Sequence, residues 1–133
     1  MGSFDAMNYA GRALKHIGED GAFLVTGEGG KNVMTIGWGA AAVIWHKNVF
    51  IAPVRKSRYS YAILQKNAAF TVSVPLHDMK EQLAVAGSKS GRDMDKFSGH
   101  GMTAAPAQAV NVPIVGECEL HIECEPMGTL TQT

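Results

Sequence analysis

The sequence predicts a mainly β domain: an antiparallel barrel or sandwich with helical decoration. Three observations predict it. Short runs of apolar and β-branched residues recur between glycine-bearing or polar turns. Helical spacing is confined to a few short segments, without the strand–helix repeat of a parallel α/β fold. The length of 133 residues, with 46% apolar and 18% charged residues, suits a single domain, residues 1–133, around one hydrophobic core.

The elements follow in order. Met7, Ala10, Leu14 and Ile17 fall at helical spacing, so Asp5 to Ile17 is expected to be a helix that stops at Gly18. Ala22 to Thr26 and Val33 to Val43 read as strands, joined by a hairpin loop at Gly27-Glu28-Gly29-Gly30-Lys31. Val49 to Val54 reads as a third strand after His46-Lys47-Asn48. Ser57 is the expected N-cap of a second helix, Tyr59 to Lys66. Phe70 to Val74 alternates as a strand and stops at Pro75. Asp78-Met79-Lys80-Glu81 is close to a capping box and opens a third helix through Ala86, ended by Gly87. Ser88 to Gly101 is polar, with one helical turn expected at Asp93 to Phe97. The last strands are expected near Val112 to Val115 and Glu117 to Glu125.

Composition removes several function classes. Twelve basic and twelve acidic residues give a formal net charge of zero, which offers no electrostatic case for nucleic acid or an anionic membrane. No apolar run approaches the roughly 20 residues of a membrane-spanning helix. The start, Met1-Gly2-Ser3-Phe4-Asp5, lacks a basic region followed by an apolar stretch, so no signal peptide is expected. Two cysteines are too few for a disulfide scaffold, and the expected location is cytoplasmic.

Familiar catalytic motifs are absent from the sequence. Gly27 to Lys31 is no P-loop, because Lys31 is followed by Asn32 and a strand instead of a hydroxyl residue and a helix. Cys118, His121 and Cys124 suggest metal ligands, but strand alternation puts His121 on the face opposite both cysteines, so buried cysteines are expected and no metal site. There is no Gly-x-Ser-x-Gly elbow and no His-Glu-x-x-His helix, and the five histidines are scattered. Such poverty of side-chain catalysts fits chemistry left to a cofactor.

Two basic, hydroxyl-bearing segments remain. Arg55-Lys56-Ser57-Arg58-Tyr59-Ser60 sits where a strand ends and a helix begins. Free N–H groups, the positive dipole end, a serine hydroxyl and arginine suit a phosphate there. A solvated basic turn explains the same residues equally well. Ser88-Lys89-Ser90-Gly91-Arg92 reads alone as an ordinary surface loop, and gains weight only as a second contributor to one anion site. Gly37 and Gly39 flank Trp38 inside an apolar run, which marks a bend, a close approach of a flat ligand, or both.

These segments together resemble the flavin reductase-like (flavoredoxin) family. The resemblance runs through Asn32-Val33-Met34-Thr35-Ile36-Gly37-Trp38-Gly39, Val54-Arg55-Lys56-Ser57-Arg58-Tyr59-Ser60-Tyr61, Phe70-Thr71-Val72-Ser73-Val74-Pro75, Gly87 to Phe97 and Glu117 to Cys124, in the family's order and over nearly the whole chain. It implies an FMN-binding split β-barrel of antiparallel Greek-key type, in a homodimer with one FMN per subunit near the interface. It implies backbone contacts from Asn32, Val33, Met34 and Thr35 to the isoalloxazine edge. Arg55, Ser57, Arg58 and Tyr59 would hold the ribityl phosphate, helped by Ser88, Lys89, Ser90 and Lys96. Trp38 would border the ring or the nicotinamide site, or else pack in the core. Lys56 stands where many relatives have proline. Relatives usually continue beyond the position of Thr133, so the implied barrel is truncated at its C-terminus, left open or completed by a partner chain.

The implied activity is that of an FMN-dependent oxidoreductase. It takes hydride from NADH or NADPH and passes electrons to free flavin, a ferric complex or a redox protein. Hydride transfer needs stacking and orientation more than an acid or base, in keeping with the absent triad. The alternatives are a flavoredoxin-like electron carrier without direct NAD(P)H oxidation, and a truncated, non-catalytic binding module.

Overall fold

The computed structural model describes residues 3–92 and 94–128. Its centre is an antiparallel sheet of four strands in the order β2 (Asn32–Ile36), β1 (Ala22–Thr26), β5 (Phe70–Val74), β8 (Leu120–Cys124). β1 faces β2 in the register Thr26 to Asn32 and Ala22 to Ile36, so Gly27 to Lys31 forms the expected hairpin loop. Gly27, Gly29 and Gly30 all take positive φ there, a region that residues with a Cβ enter only at a cost.

Strand alternation divides the apolar side chains between two faces. On one face, Ala22, Leu24, Met34, Ile36, Val72 and Val74 pack with Ala13 and Ile17 of α1 (Ser3–Glu19). On the other, Phe23, Val25 and Val33 pack with Met79, Leu83 and Ala86 of α3 (Lys80–Ser88) and its entry, and with Met102, Val112, Val115 and Cys118. β1 is buried along its whole length. Two polar side chains of β5 face the second cluster and are satisfied there. Thr71 Oγ1 donates to Pro113 O at 2.7 Å, and Ser73 Oγ accepts the Val115 N–H at 3.0 Å. Truncating a core side chain such as Phe23 costs about 3–5 kcal/mol by loss of burial and cavity formation.

Several boundaries differ from the sequence expectation, each for a local reason. Val33 to Val43 is two strands, because Gly37-Trp38-Gly39 breaks the run. β3 (Ala40–Ile44) leaves the main sheet and pairs with β4 (Lys47–Ile51) alone among the described residues. A Cβ on Gly39 would sit 2.6 Å from the Phe50 ring, so this bend needs glycine. β4 starts earlier and ends before Pro53, which lacks an N–H and biases its predecessor. α1 passes Gly18, and the chain turns at Gly21, φ 98°. The side chain of Met7 and residue Asp93 lie outside the described residues.

The helix caps also shift. α2 (Tyr59–Lys66) is capped by Arg58, not Ser57, and no side chain caps it. α3 opens at Met79 without a capping box; Asp78 Oδ1 instead accepts the Lys80 N–H at 3.0 Å. The helix also runs through Gly87 to Ser88. No helical turn forms over residues 94–97, where Asp95 Oδ1 takes the Phe97 N–H at 3.0 Å. β7 (Ile114–Val115) falls within the strand expected near Val112 to Val115, and its partner β6 (Ala104–Ala105) has no counterpart in the expectation.

The last strand begins only at Leu120. The Cys118 N–H bonds Val115 O in a turn at 3.1 Å, and this breaks the alternation. Cys118 therefore joins the face of α3, while Leu120 and Ile122 pack on the face of α1. Cys118 Sγ lies 3.9 Å from Met79 Sδ, and burial pushes both the Cys118 and Cys124 thiols up to about 12, with nearby glutamates adding to the effect. Both thiols stay protonated at neutral pH, and Cys118 packs in the core.

Candidate functional site

Three elements converge beside the β2 end of the sheet: the start of α2, the end of α3 and the loop that follows it. They enclose an open cavity of about 200 Å³ lined by Asn32, Ser57, Arg58, Tyr59, Gly87 to Arg92 and Lys96. That volume is below the roughly 300–1,000 Å³ of a pocket for a drug-sized ligand. It suits one charged end of a ligand rather than a whole cofactor.

Eight of the residues singled out by sequence meet here: Asn32, Ser57, Arg58, Tyr59, Ser88, Lys89, Ser90 and Lys96. Four do not line the cavity. Val33 and Met34 bury their side chains on opposite faces of the sheet. Thr35 Oγ1 donates to Leu83 O at 2.5 Å and ties β2 to α3. Arg55 is exposed in the turn before α2, where its carbonyl accepts the Arg58 N–H at 3.0 Å. Trp38 is 74% exposed, which excludes the core-packing alternative.

The floor of the cavity is unusual in its polarity. Lys96 is 3% exposed, and its Nζ donates to Val33 O at 2.8 Å and Ala86 O at 3.0 Å. Arg58 reaches the same helix end, donating to Gly87 O at 3.3 Å and Ala86 O at 3.5 Å. Cations at a helix C-terminus complement its dipole. Two cations on one carbonyl exceed that need, and no carboxylate lines the cavity among the described residues. Burial, and then repulsion from Arg58, push the Lys96 ammonium down from 10.5 to about 8.

Asn32 sits beside Lys96 in a buried network. Thr26 Oγ1 donates to Ser60 Oγ at 3.3 Å, and Asn32 Nδ2 donates to the same oxygen at 2.9 Å. Asn32 Oδ1 is buried without a partner. Turning the amide by half a revolution lets the Ser60 hydroxyl donate to Oδ1 and places the NH₂ group beneath Gly91. Gly91 passes over this amide: a Cβ there would run into Asn32 Oδ1 and lie 2.7 Å from Tyr59 Cδ2. Above it, the Arg92 guanidinium stands 5.0 Å from the Tyr59 ring centroid, a cation–π contact that fixes one wall.

Gly91, Arg92 and the buried Ser60 were not among the site residues expected from sequence. Their signal was present in the two hydroxyl-rich basic segments, but the need for a missing Cβ shows only when Asn32 and Tyr59 are in place. Taken together, the cavity carries donors of the kind that suit an anion. It has buried or half-buried cations without counter-ions, a spare amide, and a helix N-terminus at its rim.

A flavin reductase-like domain model matches residues 19–133. The chain belongs to the flavin reductase-like family. Flavoredoxin of Desulfovibrio vulgaris (Miyazaki F) is 26% identical with a TM-score of 0.76, covering 84% of this chain and 61% of that one. Flavoredoxin from Methanosarcina acetivorans is 25% identical with a TM-score of 0.72, over 85% of this chain and 60% of that one. An uncharacterized protein of Pyrococcus abyssi is 32% identical over 109 residues, 80% of this chain and 60% of its own. An uncharacterized protein of Archaeoglobus fulgidus is 27% identical over 101 residues, 56% of its length. The chain thus spans just over half the length of the curated relatives it matches. Its fold, mostly antiparallel sheet with a few helices, is that of flavin reductase-like FMN-binding split-barrel proteins.

Proposed function

We propose that this chain is the FMN-binding part of an NAD(P)H-dependent oxidoreductase that delivers electrons to free flavin, a ferric complex or a redox protein. The observation that carries the reading is the cavity's buried cationic floor. Arg58 and Lys96 share Ala86 O with no carboxylate beside them, and Asn32 presents a spare amide. These residues fit the phosphate end of FMN. FMN, when bound, would supply the hydride and electron chemistry.

The chain's own residues bind and orient. Arg58, Lys89 and Arg92 offer charge-assisted donors, and Ser57, Ser88 and Ser90 offer hydroxyls. Gly91, lacking a Cβ, lets the loop lie against the Asn32 amide and the Tyr59 ring. Lys96 and Thr35 hold β2 against α3, so the strand edge beside the cavity keeps its position. No acid or base is needed at such a site, because positioning supplies the catalysis.

A second reading is favoured by a specific observation: two solved structures at 25–26% identity are flavoredoxins. On that reading the domain carries electrons and is reduced by another protein. The absorbance spectrum of the purified protein separates the two. Yellow protein that bleaches anaerobically with NADH or NADPH supports the reductase. Bound flavin that stays oxidised with both nucleotides leaves the carrier. Protein that cannot be loaded with FMN contradicts both and favours a binding module.

The proposal includes a homodimer, supported by the β3–β4 hairpin. Trp45 is 83% exposed and Val43 58% exposed, on a two-strand ribbon with Ile44 and Ile51 also at the surface. Such an apolar patch marks an interaction site, and a lone two-stranded ribbon is marginal in water. Trp45 and His46 both take positive φ, 55° and 59°, in the hairpin turn. Asn-Gly usually fills that turn, so two bulky residues there store strain at a functional tip. Light scattering of Trp45→Ser tests this: a shift from dimer to monomer is expected, and a wild-type monomer contradicts it. A cytoplasmic location, with no nucleic-acid or membrane partner, belongs to the same proposal. Fractionation of the native cells tests the location.

A further inference from the structure

Lys96 has a hydrogen-bond count that suits two different states. As a neutral amine it has two hydrogens, and two carbonyls stand ready for them, Val33 O and Ala86 O. As an ammonium it has a third N–H and a full charge, and among the described residues neither an acceptor nor a carboxylate meets them. Its surroundings make the charge costly. Arg58 at the start of α2 repels it, Lys89 and Arg92 line the same cavity, and β2 contributes no ionisable group. Asp95 on its own segment is engaged by the Phe97 N–H, and Tyr59 lies under Arg92. An anion in the cavity would supply both the missing acceptor and the missing counter-charge.

We infer that occupation of the cavity by a phosphate ester is coupled to proton uptake at Lys96, which acts as an interior positioning cation between β2 and α3. The inference rests on the phosphate-site reading of the proposed function and adds a proton to it. Above about pH 8, Lys96 without the anion holds the strand edge to the helix end as a neutral donor. With the anion it holds the same two carbonyls as a cation and turns its third N–H toward the ligand. Linkage then fixes the sign: a site that gains a proton on binding binds more weakly as pH rises.

The amine's position near 8 sets the window. Across it the phosphate group is a steady dianion, since its second ionisation lies near about 6. Calorimetry of FMN binding in two buffers of different ionisation enthalpy reads the uptake directly. For an amine at about 8 that rises well above that on binding, uptake is about half a proton per FMN at pH 8 and approaches one at pH 9. The same amine makes affinity fall about tenfold between pH 7 and pH 9. Lys96→Met is expected to bind more weakly, without uptake and with a flat pH profile over that range. Should the variant fail to fold, the Lys96 Cε resonance of the wild type gives the same answer. Its titration midpoint should move upward when FMN is added.

Tight FMN binding with no proton uptake at pH 8–9, an unmoved Lys96 midpoint, or uptake that persists in Lys96→Met overturns the inference and leaves the proposed function standing. Absence of FMN binding at every pH overturns the proposed function and takes the coupling with it.

Discussion

The residues expected to hold a flavin fall into two groups that the fold treats differently. At the phosphate end, Arg58, Lys96 and Asn32 keep bonding capacity that no protein group uses. At the strand end the side chains are already engaged by the fold. Val33 O accepts from Lys96, Thr35 Oγ1 donates to Leu83 O, and the Val33 and Met34 side chains fill the two cores. The difference teaches where the proposed reading can be tested: side chains serve the phosphate end, and only backbone groups of the strand are left for a ring. The strand residues hold the frame in which a ring system would lie.

Four substitutions sharpen or break that comparison, from the largest expected effect to the smallest. Gly91→Val places a branched side chain against the Asn32 amide and the Tyr59 ring, and should remove measurable FMN binding while leaving the far-ultraviolet circular dichroism unchanged. Arg58→Ala removes charge-assisted bonds worth about 1.5–3 kcal/mol, a loss of about 10–100-fold in FMN affinity by fluorescence titration. Unchanged affinity there would refute the phosphate assignment.

Thr35→Val tests the other side of the comparison. It deletes the bond to Leu83 O and should lower stability by about 1 kcal/mol in urea, with FMN affinity changed less than twofold. A large affinity loss with little change in stability would make Thr35 a ligand residue and erase the contrast.

The smallest effect concerns a group remote from the cavity. His121 Nδ1 lies 2.9 Å from Ser73 Oγ, which also accepts the Val115 N–H and keeps its hydroxyl hydrogen for an imidazole whose Nδ1 is bare. Burial holds the His121 imidazole below its usual 6.5, against the Cys118 carbonyl and the nearby Glu123 and Glu119. The folded state therefore carries fewer protons than the unfolded one between that lowered value and 6.5. Stability is lost as pH falls through this window. His121→Gln should flatten the acid side of the urea-midpoint profile without altering FMN affinity.

Much of the architecture was legible in the sequence. Ala22–Thr26 and Phe70–Val74 coincide with their strands because each is bounded by unambiguous turn residues. The Gly27 to Lys31 turn was equally plain. The break at Gly37 to Gly39 was not resolved, because its cause is the Phe50 ring, thirteen or fewer residues away in the chain but fixed only by the β3–β4 pairing. The face of Cys118 was misread for a similar reason: a turn bond to Val115 O outweighs strand periodicity. In the site, residue types suited an anion and a solvated basic turn equally. What sequence could not supply was satisfaction, namely which donors the fold itself consumes.

The most direct measurement compares FMN with riboflavin, which shares the ring system and lacks the phosphate. If the cavity is an anion receptor, FMN binds at least about 100-fold more tightly, the equivalent of about 2.7 kcal/mol placed in the phosphate contacts. Its advantage over riboflavin should shrink to within about tenfold in Arg58→Ala, where one set of charged contacts is gone. Equal affinities of the wild type for the two compounds would contradict the account.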